Sequence, residues 1–235
     1  MKSRRKDPRG CREQPGDQAR RIHEAIDGYA VSLVPLIGEL YGRKTVQQAW
    51  CEFTVGGSDE FVEDDPQSEL FFAWLFHRWS PALEKGDKIG VETLNGVQPT
   101  RAFLARSSPR LDPLLRRYLE ACVVTPLGFY EIHDCNPGTG FKARDAMTGV
   151  DLEVRESVAS TTLEDEDIVF AHMVPIEGIA IVDAISPLSF PPKFKALLPQ
   201  LRKRRELRKQ PDLALRSLYF TFLKSYVPTQ IPEIQ

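Results

Sequence analysis

The residues best equipped for chemistry cluster in the middle of the chain. Glu131, His133, Asp134 and Asp145 lie within fifteen positions of one another, around a Pro137-Gly138-Thr139-Gly140 turn. A strand–turn–strand reading places them on neighbouring strands. Carboxylates and an imidazole brought together in this way hold a divalent cation that activates water, so the chemistry implied is metal-assisted hydrolysis. Strand alternation works against it, because His133 and Asp134 point to opposite faces.

A second arrangement, Asp151 followed by Glu153-Val154-Arg155, has the Asp…Glu-x-Lys spacing of restriction-type nucleases. Its base position is filled by arginine, which stays protonated and accepts no proton. A metal-dependent nuclease or hydrolase using the carboxylates of this segment is therefore the alternative reading. Serine hydrolysis fares worse: there is no G-x-S-x-G elbow, and His23, His77, His133 and His172 follow no motif. His77 sits in an apolar helix and reads as a satisfied structural group. His172, in the most apolar strand, reads as a core histidine bonded to backbone. The PGTG turn lacks the lysine and the strand-to-helix setting of a phosphate loop. Cys11, Cys51, Cys122 and Cys135 are scattered without a C-x-x-C pair, which points to free thiols in a reducing compartment. The sequence implies no metal site and no cofactor.

Cations offer a different chemistry. Lys142, Arg144 and Arg155 fall on the expected strands, and Lys203, Arg204 and Arg205 fall in a basic run behind them. Together they are the candidate phosphate contacts for a nucleic acid, with His133 or Phe141 as a stacking surface. Charge is segregated along the chain. Met1–Arg21 carries eight basic and three acidic residues and Lys193–Lys209 eight and one, against six acidic and no basic in Ser58–Glu69 and seven and one in Asp151–Asp167. The acidic stretches nearly match the basic ones, so pairing within the protein or across subunits is the first reading and polyanion binding the second.

These residues must be positioned by helices flanking a β segment. Residues 1–17 are rich in arginine, lysine, proline and glycine and read as a disordered basic tail. Residues 18–126 form a helical region. Ile22, Ile26, Tyr29, Leu33, Leu36, Ile37 and Leu40 recur at helical spacing, with Asp17 as cap and a kink or split at Pro35. Further helices are expected over Thr45–Thr54, from an Asp65 cap through Trp79, and around Thr100–Ala105 and Asp112–Val123. Residues 127–186 read as five short antiparallel strands, turning at PGTG, Thr148-Gly149 and Glu177-Gly178, with the last two strands buried on both faces. Such strands protect their edges by closing into a small barrel. Residues 187–235 return to helical pattern, with two helices and an extended VPTQIPEIQ tail. The fold class is thus α+β: a helical N-terminal region, a central five-stranded antiparallel sheet or small barrel, and two C-terminal helices.

Composition is that of a globular chain, 42% hydrophobic and 27% charged, with a net charge of −2. The longest apolar run, Leu70–Phe76, is far short of the about 20 residues that span a bilayer, and no signal segment is visible. No membrane role is expected, and the expected location is cytoplasmic.

Tyr130-Glu131-Ile132, the PGTGF turn, Arg144-Asp145, Thr148-Gly149, Glu156, Ala159-Ser160, Leu163, Asp167 and Phe170-Ala171…Met173-Val174-Pro175 form a block that resembles bacterial proteins associated with the SEC-C zinc-binding motif. Trp74…Trp79, Ala102-Phe103-Leu104 and Ile231-Pro232-Glu233-Ile234 fit the same pattern, over residues 45–235. The SEC-C cysteine cluster itself has no counterpart here, so the resemblance carries no zinc over. It implies a bacterial cytoplasmic protein and no catalytic residues. The function expected is non-enzymatic: a binding or regulatory module whose barrel takes a nucleic acid or a protein partner, with a homo-oligomer as a further candidate.

Overall fold

Residues 15–42, 44–57, 60–80, 97–107, 111–190, 192–198 and 211–226 are described by the computed structural model. Among the described residues, six helices precede the β segment: α1 (Pro15–Ile26), α2 (Tyr29–Tyr41), α3 (Thr45–Phe53), α4 (Ser68–His77), α5 (Pro99–Ser107) and α6 (Pro113–Val124). Five strands follow, β1 (Gly128–Asn136), β2 (Gly140–Asp145), β3 (Asp151–Val154), β4 (Ile168–Ile176) and β5 (Ile179–Ile185), and then α7 (Pro211–Tyr226). Short 3-10 turns occupy Ala159–Thr161 and Pro192–Leu197. Among the described residues, no helix is long and apolar enough to cross a membrane.

The helical punctuation differs from expectation at three places. Pro35 lies inside α2 without ending it. Val31, whose carbonyl loses the proline N–H, is solvent-exposed, so water can satisfy that oxygen. The break falls instead at Gly28, whose φ of 72° no helix continues through. Asp65 does not cap α4: its Oδ1 accepts from the Gln67 N–H in a turn, and the helix starts at Ser68. Asp112 does cap α6, accepting from the N–H groups of Leu114 and Leu115. At the C-terminal side, the first of the two expected helices opens with the Pro192–Leu197 3-10 turn and its remainder from residue 199 lies outside the described residues, while α7 matches the second. Of the expected basic tail, residues 1–14 lie outside the described residues, and Pro15–Asp17 already belong to α1. Lys203, Arg204, Arg205 and the terminal tail also lie outside them.

The sheet closes in the order β1-β2-β3-β5-β4. Four neighbouring pairs are antiparallel, but β3 meets β5 in parallel, so the barrel is mixed and the all-antiparallel expectation is corrected. A closed ring of five strands cannot be antiparallel at every contact, because strand direction must return to itself after an odd number of steps; one neighbouring pair is necessarily parallel, and here it is β3 with β5. Closure rests on one residue pair, Val154 with Ala180. On the other side of β3, Gly140 lets β2 run close to it: a Cβ there would lie 2.2 Å from the Val154 carbonyl oxygen, at a φ of 151°.

Alternation sorts each strand's side chains. Tyr130, Ile132, Phe141, Ala143, Val154, Val169, Ala171, Met173 and Ala180 fill the barrel. The opposite faces of β1, β4 and β5 lie under helices. Phe129 and Phe170 join α2, α3, α4 and α7 in one core, and Val174, Ile176, Ile179 and Ile181 join α1 and α6 in another. α7 is tied in by Arg216, whose guanidinium lies 4.3 Å from the Trp74 ring and donates to the Glu52 and Phe53 carbonyls.

Candidate functional site

Polar residues are scarce on the helix-covered side of the barrel, and those present converge on one carboxylate. The β4–β5 hairpin turns at Glu177-Gly178, pairing Ile176 with Ile179, and keeps register as far as Met173 with Val182. The next pair is His172 with Ala184, so Asp183 is an extra residue in β5. A bulge of this kind re-aims a side chain. Here it places Asp183 beside His172, beneath the ends of four helices. Tyr29 opens α2, His77 closes α4, Thr100 stands at the start of α5, and Tyr118 and Cys122 lie one turn apart on α6.

Asp183 Oδ1 accepts from the hydroxyls of Tyr29 at 2.7 Å and Tyr118 at 2.6 Å. Oδ2 lies 2.8 Å from His172 Nδ1 and 3.4 Å from His77 Nε2. His172 Nε2 faces the Thr125 carbonyl oxygen at 3.0 Å. A carbonyl only accepts, so Nε2 carries a proton, and a carboxylate at Nδ1 requires a second one. The pair is an imidazolium–carboxylate. His77 Nδ1 is 2.9 Å from Thr100 Oγ1, and its Nε2 is 3.3 Å from the Tyr29 oxygen. The Tyr29 hydroxyl already donates to Asp183, so His77 Nε2–H donates to the Tyr29 oxygen and the Thr100 hydroxyl donates to Nδ1.

Burial sets the protonation states of the surrounding groups. It pushes the His77 pKa down, against the opposing pull of Asp183. It pushes the Tyr29 and Tyr118 phenols well above their ordinary value, and the Asp183 charge adds to the effect. The Cys122 thiol is raised for the same two reasons. For Asp183 itself burial opposes the charge, but the two histidine rings outweigh it and hold the carboxyl well below the usual carboxylate range. Both histidine side chains are wholly buried, and the Asp183 side chain is 4% exposed.

Two clefts meet at Val182–Asp183. One, about 580 Å³, runs under the α1–α2 junction past Glu24, Asp27, Tyr29 and Tyr118. The other, about 490 Å³, opens between β5 and the Ala159–Thr161 turn, past Glu69, Glu156 and Leu163. Among the described residues, neither cleft is lined by lysine or arginine. The second cleft exists because the barrel seam splays. Beyond Ala180, the β5 edge facing β3 has no strand partner among the described residues.

The expected site residues on the barrel lie apart from this cluster. Lys142 pairs with Asp134 at 2.7 Å, Arg144 grips Asp151 with two bonds at 2.8 and 3.3 Å, and Arg155 lies 3.2 Å from Glu153. All three thus neutralise carboxylates of their own barrel. Glu131 is buried and bonded to Lys195, with His133 Nε2 at 3.6 Å. Asp145 accepts from the Met147 and Thr148 N–H groups of its turn. Glu131, His133, Asp134 and Asp145 therefore form no metal-holding group; among the described residues, the His77, Cys122 and Asp183 donor atoms alone do, all within 4.8 Å of one another. Sequence spacing hid this group, because its members come from α4, α6 and β5. One signal was present: His172 and Asp183 are lone polar residues in apolar strands, equidistant from the Glu177-Gly178 turn.

No known protein-family model, curated protein or solved structure matches the chain.

Proposed function

We propose that the protein is a non-enzymatic binding module that takes an extended, basic segment of a partner protein along the open edge of β5. The observation carrying this reading is the splayed seam. An unpartnered strand edge runs between two clefts that present Asp27, Glu69 and Glu156 without a lysine or arginine among their described lining. Strand addition supplies main-chain hydrogen bonds, and alternate side chains of the added strand enter the flanking clefts. Lysine or arginine at those positions meets carboxylates, whereas a phosphate backbone is repelled. The pairing of Lys142, Arg144 and Arg155 with carboxylates argues in the same direction. A catalytic reading draws little support from the cluster below the seam, where His77, His172 and Asp183 are satisfied by one another and by hydroxyl and carbonyl partners.

Fluorescence anisotropy tests this with an alternating lysine–valine peptide, its glutamate–valine counterpart, and single- and double-stranded oligonucleotides. The basic peptide binds, the acidic one does not, and the affinity falls as salt rises. Glu69→Lys and Glu156→Lys abolish binding. The reading is lost if the basic peptide fails to bind at low salt. Oligonucleotide binding that disappears in Lys142→Ala/Arg144→Ala would establish the nucleic-acid alternative in its place.

A further inference from the structure

The buried cluster contains a donor set that hydrogen bonding alone does not require. Cys122 Sγ, His77 Nε2 and an Asp183 oxygen come from three separate elements and lie within 4.8 Å of one another, with both His77 and Cys122 at 0% exposure. We propose that His77, Cys122 and Asp183 bind one divalent transition-metal ion of the zinc class, independently of any peptide at the seam. A tetrahedral ion holds such ligands at ~2.0–2.3 Å, and so ~3.5 Å from one another, a spacing that small side-chain rotations reach from here. One thiolate, one imidazole and one carboxylate favour zinc, cobalt or nickel over magnesium or calcium, which prefer oxygen alone.

The surrounding groups fit an outer shell. The Thr100 hydroxyl, 2.9 Å from His77 Nδ1, accepts a proton from that nitrogen as readily as it donates one. His77 can therefore move its proton to Nδ1 and present the Nε2 lone pair to a metal. Tyr29, Tyr118 and His172 orient the carboxylate from its other sides. On binding, the Cys122 thiol releases its proton to solvent and the thiolate takes the metal. Three protein ligands leave a fourth position for water or a tyrosine oxygen.

The test uses the full chain, stripped with a chelator and titrated with Co²⁺. One ion binds per chain, with a thiolate-to-cobalt charge-transfer band in the near ultraviolet and intense visible bands of four-coordination. Zn²⁺ displaces it; Mg²⁺ and Ca²⁺ do not. Cys122→Ser removes the charge-transfer band, Cys51→Ser and Cys135→Ser retain it, and His77→Ala weakens binding at least about tenfold. X-ray absorption of the zinc-loaded wild type needs no variant and reads one sulfur with nitrogen and oxygen neighbours. The proposal is overturned by a metal shell without sulfur, by a charge-transfer band that survives Cys122→Ser, or by no binding at all.

Discussion

Removing the Asp183 carboxylate should be among the most damaging single changes this chain can suffer. Asp183→Ala leaves the His172 imidazolium buried without its counter-ion, and two tyrosine hydroxyls without their acceptor. Breaking a buried charge pair by deleting one partner costs about 3–5 kcal/mol. At about 2–4 °C per kcal/mol for a chain of this size, the melting temperature falls by about 6–20 °C. Asp183→Asn is milder, at about 1.5–3 kcal/mol, since its amide oxygen still accepts from the tyrosines and its amide N–H can donate to a neutral His172 Nδ1. The sign of the pH dependence follows from the low Asp183 pKa. A carboxyl depressed on folding contributes its full stability above the unfolded value of about 3.9, and loses it as pH falls from there through the folded value. The share of the gap that comes from the Asp183 charge is therefore present in full above about pH 5 and is lost at lower pH. Urea unfolding of the metal-free protein across this range measures it. An Asp183→Ala cost below about 1 kcal/mol at pH 7 would refute the buried ion pair outright.

Three other substitutions probe the frame that holds this site. Gly140→Ala places a Cβ 2.2 Å from the Val154 carbonyl oxygen at an unfavourable φ, and should cost about 2–4 kcal/mol by urea unfolding as it forces β2 and β3 apart. Arg216→Ala, which strips donors from the Glu52 and Phe53 carbonyls and the stack on Trp74, should cost about 2–4 kcal/mol, with little rescue by lysine because it lacks the planar fork. Thr100→Val, nearly isosteric, removes the hydroxyl at His77 Nδ1 and should cost about 1–2 kcal/mol in thermal melts; in cobalt titrations the same change weakens metal binding.

Local chemistry made the strands and turns readable. Proline and glycine at PGTG and Thr148-Gly149, and alternation in Val150–Val154, locate β1 to β3 without reference to the rest of the molecule. The β4–β5 hairpin was equally plain, and the two-residue turn at Glu177-Gly178 even pairs His172 with Asp183 by counting outwards from Ile176–Ile179. What counting does not reveal is the bulge, or that helices arriving from far away in sequence would end above it. One parallel contact follows from closing five strands at all; where it falls was hidden, because the chain from β3 to β4 skips the position that β5 takes, and its sequence, Glu156–Asp167, reads only as an acidic polar joint. Charge counting set the basic stretches against the acidic ones; among the described residues Asp151 pairs with Arg144 and Lys195 with Glu131, each taking its partner from outside those stretches, while most of the basic run falls outside the described residues.

The placement of α7 has a consequence for the order in which the molecule can be completed. Tyr219 stacks on Phe170 at 4.6 Å between ring centres, and Phe222 packs against Phe129 at 5.6 Å. Both partners project from the barrel towards a helix made after every strand. As the chain leaves the ribosome, the barrel can close while this aromatic surface is still bare to water. The interval before α7 docks is then the period of greatest exposure to aggregation and to chaperone capture. Slow synthesis across residues 187–210 would lengthen that interval, and a dye that binds exposed apolar surface would report it in chains halted there.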